Sequence, residues 1–290
     1  MKYAYFPGCS LHSTAKEYNL STKEVANSLG IELIDIPDWI CCGATPAHIT
    51  MHLLSIALPV KNLIQAKHMD SYEVATCCAA CFSRLKIAND FMQHDLVHRQ
   101  KVEEIVGEKY QGEVKVRHFL DILANGFGLK NLSQRVTKKL NGLKVACYYG
   151  CLLTRPKEIT GMDDLEEPRL MDDLMAAVGV EALAWPYKTE CCGASFSLTK
   201  TDVVLKLSGD ILQMAADEGA EAIVVACPLC QSNLDLRQGM INKKYKKHFK
   251  IPVFYFTQLI GLALGIEPKK LGFDKHIVNP LPLLKKKGLA

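Results

Sequence analysis

Short apolar runs alternate along the chain with longer segments whose apolar positions recur every three or four residues. The runs Tyr3 to Phe6 and Val145 to Tyr148 read as strands, and each leads straight into Gly-Cys. Second strands are expected over Ile31 to Ile36 and Val180 to Trp185, closing at Pro37 and Pro186. Helical periodicity follows over about residues 49–68, with Pro59 a kink, and over about residues 200–218. Ser21 with Glu24 three residues on reads as a capping box, and Gly30 and Gly179 read as helix ends. In each half a third strand then enters Cys-x-x-Cys, and a helix and a last strand–helix pair complete the pattern. Strands alternating with helices predict an α/β fold with mostly parallel sheets.

The pattern occurs twice. "KYAYFPGCS" from Lys2 aligns without a gap to "KVACYYGCL" from Lys144. "LGIELIDIPDWICCGA" from Leu29 aligns to "VGVEALAWPYKTECCGA" from Val178 with one inserted residue. "ATCCAACFSRL" from Ala75 aligns to "VVACPLCQSNL" from Val224, and "VRHFLDILA" from Val116 to "VFYFTQLIG" from Val253. Four landmarks in one order predict two tandem homologous domains, residues 1–130 and 142–290, related by a pseudo-two-fold axis. The polar stretch Lys130 to Asn141 would join them.

Composition adds two constraints. An apolar content of 49% and a charged content of 23% are those of a globular chain, and no apolar run is long enough to cross a membrane. Met1-Lys2-Tyr3 enters the first strand without an apolar leader, so a cytoplasmic protein is expected. The net charge of +4 rests partly on the runs 243–248 and 285–287. Without interleaved aromatics these read as solvated helix ends, not as a nucleic-acid surface. The second constraint is twelve cysteines. In a reducing compartment they favour metal or redox chemistry over disulfides.

Ten of the twelve repeat position for position: Cys9, Cys41, Cys42, Cys78 and Cys81 in the first half, Cys151, Cys191, Cys192, Cys227 and Cys230 in the second. Cys77 and Cys147 have no counterparts and read as buried small residues. All the repeated cysteines follow strands, where parallel sheets gather their sites, so each five should converge. Tetrahedral zinc takes four ligands and would leave one thiolate over in each half. Five thiolates without histidine suit an iron–sulfur centre of unusual shape or size, and adjacent cysteines can address different irons. Gly43 and Gly193 would let backbone approach the inorganic core. A zinc-binding scaffold without catalysis remains the alternative.

The segments "YFPGC", "WICCGA", "CAAC", "YYGC", "ECCGAS" and "CPLC" resemble the cysteine-rich CCG domain family. Two such domains with no ferredoxin-type motif resemble most the B-subunit family of methanogen heterodisulfide reductases. The resemblance spans nearly the whole chain. It implies two noncubane 4Fe-4S clusters, one per domain, each held by the five repeated cysteines named above. It implies reduction of the coenzyme M–coenzyme B heterodisulfide to two thiols, with one electron from each cluster. It also implies that electrons arrive from a flavin-bearing heterodisulfide reductase subunit through a ferredoxin-like one. No protein side chain beyond the clusters would then be catalytic. The substrate's anionic groups would call for cations, and His12, Arg84, Arg155 and Lys188 lie within a few residues of the cysteines. His48, after Cys42, reads as structural or exposed. Other members of the family serve glycolate, lactate or succinate oxidation or thiol:fumarate reduction, and these are alternative activities.

Overall fold

The structure, a computed structural model, describes residues 1–44 and 50–290. His48 and the expected helix start at Ile49 lie outside the described residues.

Each half builds a four-stranded sheet. The first contains β1 (Lys2–Phe6), β2 (Glu32–Asp35), β3 (Glu73–Thr76) and β4 (Lys115–His118), in the order β2-β1-β3-β4. The second contains β5 (Lys144–Tyr148), β6 (Glu181–Ala182), β7 (Ala222–Val225) and β8 (Val253–Tyr255), in the order β6-β5-β7-β8. Every ladder is parallel, and the register repeats: Ala4 faces Val74 as Ala146 faces Ile223. The two central strands of each sheet are almost wholly buried, which is why they read as continuous apolar runs. In both sheets the strand order reverses beside the first strand. A crevice at such a switch point, beyond the carboxyl ends of the strands, is where this architecture places ligands.

Helices fill the connections much as the periodicity predicts, over Lys16–Leu29, His52–His68 with Pro59 inside, Ala79–His94, Leu170–Ala177 and Thr201–Asp217. Two expectations are corrected, and the joining stretch gains structure. Ser21 is not a cap but lies inside the helix Lys16–Leu29, where its hydroxyl reaches the Tyr18 carbonyl at 3.1 Å and Thr257 Oγ1 at 2.7 Å. The expected strand 180–185 shortens to two residues at the sheet edge, because Ala184 to Trp185 turns away toward Pro186. The joining stretch is half helical (Leu129–Arg135), and the Thr137 and Lys138 amides then donate to the Ala263 carbonyl.

The halves share one interior. Tyr18 and Tyr255 stack at 3.9 Å with planes 9° apart, and Phe256 meets Tyr18 edge-on. The helix Phe256–Ala263 is buried along its whole length against the helix Lys16–Leu29. The basic runs are solvated: Lys244 pairs with Asp202, and Lys287 pairs with Glu221 at 2.7 Å. Among the described residues, no helix is long and apolar enough to cross a membrane.

Candidate functional site

The cysteines reach the switch points on three elements in each half. β1 delivers Gly8 and Cys9 into the short helix Gly8–His12. β3 and β7 deliver Cys78 and Cys227, each the residue that caps the following helix, and Cys81 and Cys230 lie one turn in. That position places thiolates among the free N–H groups of a helix start, which favour negative charge.

The Cys-Cys loops are held from behind. In the first half the Asn62 side chain clamps Ile40, accepting from its N–H at 2.8 Å and donating to its carbonyl at 3.0 Å. In the second, Tyr148 donates to the Glu190 carbonyl at 2.6 Å and Ser208 to that of Cys192 at 3.3 Å. Both loops then fold identically: the amide of Gly43 donates to Cys41 Sγ at 3.4 Å, and that of Gly193 to Cys191 Sγ at 3.3 Å.

The thiols approach one another without bonding. Cys42 and Cys81 sulfurs lie 3.3 Å apart, Cys192 and Cys230 3.7 Å, and Cys151 and Cys191 3.9 Å. All twelve cysteines are free. Cys42, Cys78, Cys81, Cys192, Cys227 and Cys230 are buried, whereas Cys9, Cys41 and Cys191 are exposed and Cys151 is half-buried. Each group therefore has a buried base and an open rim. Among the described residues no three or more His, Cys, Asp or Glu side chains form a group that could hold a metal ion.

The two groups lie near each other where the halves meet. Cys78 and Cys227, the first cysteines of the two Cys-x-x-Cys motifs, lie near enough that each shifts the other's thiol, Cys78 upward and Cys227 downward. His118, fully buried at the end of β4, spans the same seam. Its Nε2–H points at the Cys77 carbonyl (2.7 Å) and the Ala226 carbonyl (3.2 Å), while Nδ1 accepts from the Leu120 amide at 3.1 Å. Burial lowers its pKa to about 4, so the ring is neutral and this donor–acceptor pattern is fixed. Only its place in the "VRHFLDILA" repeat, where the second half has Tyr255, could have signalled it.

Crowding sets the charge of the thiols. The Cys41 thiol, followed by that of Cys81, holds Cys42 well below the ordinary thiol range. The Cys151 thiol, with the Gly193 and Ala194 amides, brings Cys191 down to about 6. Cys77, outside the repeated set, is raised to about 12 by burial, and burial likewise raises Cys147. Within the repeated set crowding lowers Cys42, Cys191 and Cys227 and raises their neighbours Cys41, Cys78, Cys81, Cys151 and Cys230, as closely packed thiols sharing protons must, whereas the two odd cysteines are simply buried.

The cradle also fits a bulky sulfur-rich group. Gly8 and Gly150 both have φ +69°, and a Cβ there would stand 2.9 Å from Cys81 Sγ and 3.2 Å from Cys230 Sγ. Only glycine leaves those sulfurs their place. With soft donors alone and no competing histidine in the set, the residues present suit iron–sulfur ligation.

The four candidate cations fare differently. His12 is exposed at the end of the helix Gly8–His12, its ring 5.7 Å from Trp39, just before Cys41. Arg84 is half-buried one turn beyond Cys81 and makes no ion pair among the described residues. Arg155 is engaged by Glu166 at 2.9 Å and Thr189 at 3.4 Å. Lys188 is tied to Asp172 at 2.6 Å and to the Pro168 carbonyl at 3.1 Å, both charged groups being nearly buried. Its ammonium secures a loop.

Comparison with known proteins agrees with this arrangement. Residues 3–86 and 145–235 match the cysteine-rich domain family, CCG. The chain is 32% identical over 285 residues to the 8-methylmenaquinol:fumarate reductase membrane anchor subunit of Wolinella succinogenes, covering 97% of this chain and 99% of that protein. It is 30% identical over 291 residues to the B subunit of the ferredoxin:CoB-CoM heterodisulfide reductase of Methanosarcina mazei, covering 98% and 96%. Among solved structures, a hypothetical protein from Helicobacter pylori superposes with a TM-score of 0.78 at 14% identity, over 96% of this chain and 52% of that one. That last likeness concerns the fold alone.

Proposed function

The chain belongs to the cysteine-rich CCG family, and on that premise we propose that it reduces a disulfide as the iron–sulfur subunit of a heterodisulfide reductase. The observation that carries this reading is the meeting of two equivalent five-cysteine groups at Cys78 and Cys227. Cys9, Cys41, Cys42, Cys78 and Cys81 would hold one noncubane 4Fe-4S cluster, and Cys151, Cys191, Cys192, Cys227 and Cys230 the other. Such a pair, when bound, supplies the two electrons that a disulfide requires, one from each cluster.

The overall change is RS–SR′ plus two electrons and two protons giving RSH and R′SH. The chain's own residues hold the two centres in one frame, through the Tyr18–Tyr255 stack and the His118 bridge, so that both sulfurs of one disulfide are within reach. The exposed rim at Cys9, Cys41 and Cys191 gives the substrate its entrance. We assign anion recognition to Arg84 and His12, because Arg155 and Lys188 already have carboxylate partners. The coenzyme M–coenzyme B heterodisulfide is the proposed substrate. The proposed route for electrons runs from a flavin-bearing subunit through a ferredoxin-like one.

A second reading rests on the Wolinella relative: service in a quinol- or thiol-linked fumarate-type reductase. Assay of anaerobically purified protein with a reduced viologen dye and the heterodisulfide separates the two. Oxidation of the dye with release of two thiols supports the first reading. Protein that contains its clusters yet leaves the heterodisulfide intact sinks it.

A further inference from the structure

The two cysteine groups follow the same backbone plan and differ in the side chains that surround them. One turn beyond the second cysteine of Cys-x-x-Cys, the first half has Arg84 and the second has Asn233. Asn233 is buried, and its Nδ2 donates to Cys192 Sγ at 3.5 Å and to the Cys192 carbonyl at 3.2 Å. Its Oδ1 accepts from Ser197 Oγ at 3.1 Å and Arg237 Nε at 3.1 Å, and Arg237 also donates to the Ser197 carbonyl at 2.8 Å. With both acceptor directions occupied, the amide cannot flip, and its N–H is aimed at the sulfur. In the first half the aligned residues are Arg84, Ala47 and Ala88, so the sequence there can build no such triad.

We propose that Asn233 is a positioning residue. Locked by Ser197 and Arg237, it gives the Cys192 thiolate a hydrogen bond that raises the reduction potential of the second-half iron–sulfur centre. Among the described residues no first-half side-chain amide donates to Cys42, which is met instead by the Ala44 backbone amide. A donor to a ligand sulfur stabilises the negative charge that reduction adds, and outer contacts of this kind set the potentials of such centres. The twin centres are therefore tuned separately, by side chains of this chain. The inference rests on the iron–sulfur reading of the preceding subsection.

The test is a redox titration of the whole protein followed by electron paramagnetic resonance, with the second-half signal identified as the one altered by Cys192→Ser. Asn233→Asp is isosteric, keeps the acceptor for Ser197 and Arg237, and removes the donor. Asn233→Leu removes the donor without adding charge. Both should shift the second-half centre to a more negative potential and leave the first-half centre where it was. Unchanged potentials in fully loaded variants would overturn the proposal while leaving the iron–sulfur reading intact. A shift in Asn233→Asp alone would also overturn it, since charge and not the hydrogen bond would then be responsible. So would loss of the second centre from both variants, which would make Asn233 a structural support. Unaltered protein without iron or sulfide would overturn the reading beneath it.

Discussion

Sulfur spacing was legible at the level of single residues because it repeats along the chain, as shared ligation would require. Ten cysteines repeat in register, and the two that do not, Cys77 and Cys147, are buried in the sheets away from the rims. His118 and Asn233 left no such trace, since each acts through a contact made only after folding. Nor does the nearness of Lys188 to Cys191 in sequence disclose Asp172, with which it pairs. Replacing Cys42 or Cys192 by serine should abolish or convert the cluster of its own half and leave the other, as read by paramagnetic resonance. Acid should act through histidine. The folded pKa of His118, about 4, lies below the unfolded value of 6.5, so the unfolded chain binds the extra proton between them. Stability is then full above about pH 6.5 and is lost as pH falls toward 4, by on the order of 3 kcal/mol. The denaturation midpoint should fall between pH 7 and pH 5, and His118→Asn should remove about half of that slope at the cost of a lower starting value, since buried His276 is also lowered to about 4.

Among elements, the strands next to cysteines were the easiest to read, because burial on both faces makes them uniformly apolar. The edge strand Glu181–Ala182 was over-extended: its sequence is apolar, but Trp185 leaves the sheet to donate to the Cys147 carbonyl at 2.9 Å. The Ser21 capping signal failed because its hydroxyl was taken by Thr257, a tertiary partner invisible in a local motif. The loop that carries Cys191 is pinned to the helix Leu170–Ala177 by Lys188 and Asp172. Removing one partner of a nearly buried pair leaves the other charge uncompensated. Lys188→Met should therefore cost about 3–5 kcal/mol, and adding Asp172→Leu should restore most of it. Equilibrium denaturation of the single and double variants checks this. If the single variant were as stable as the unaltered protein, the loop would have another anchor.

As a whole, the molecule is a duplicated α/β unit whose copies face each other. The duplication and the parallel sheets could be inferred from periodicity and repeats alone. That the copies share an interior could not, because Tyr18, Tyr255 and Phe256 read as ordinary core residues of separate units. This shared interior brings the two cysteine groups near each other at Cys78 and Cys227, where we propose one composite site. The central claim is that this site holds two iron–sulfur clusters. Its most direct test is the iron, zinc and acid-labile sulfide content of the chain purified without oxygen. Two four-iron clusters predict about eight iron and about eight sulfide per chain. About two zinc per chain with no sulfide would contradict the account, and would leave a metal-stapled scaffold in its place.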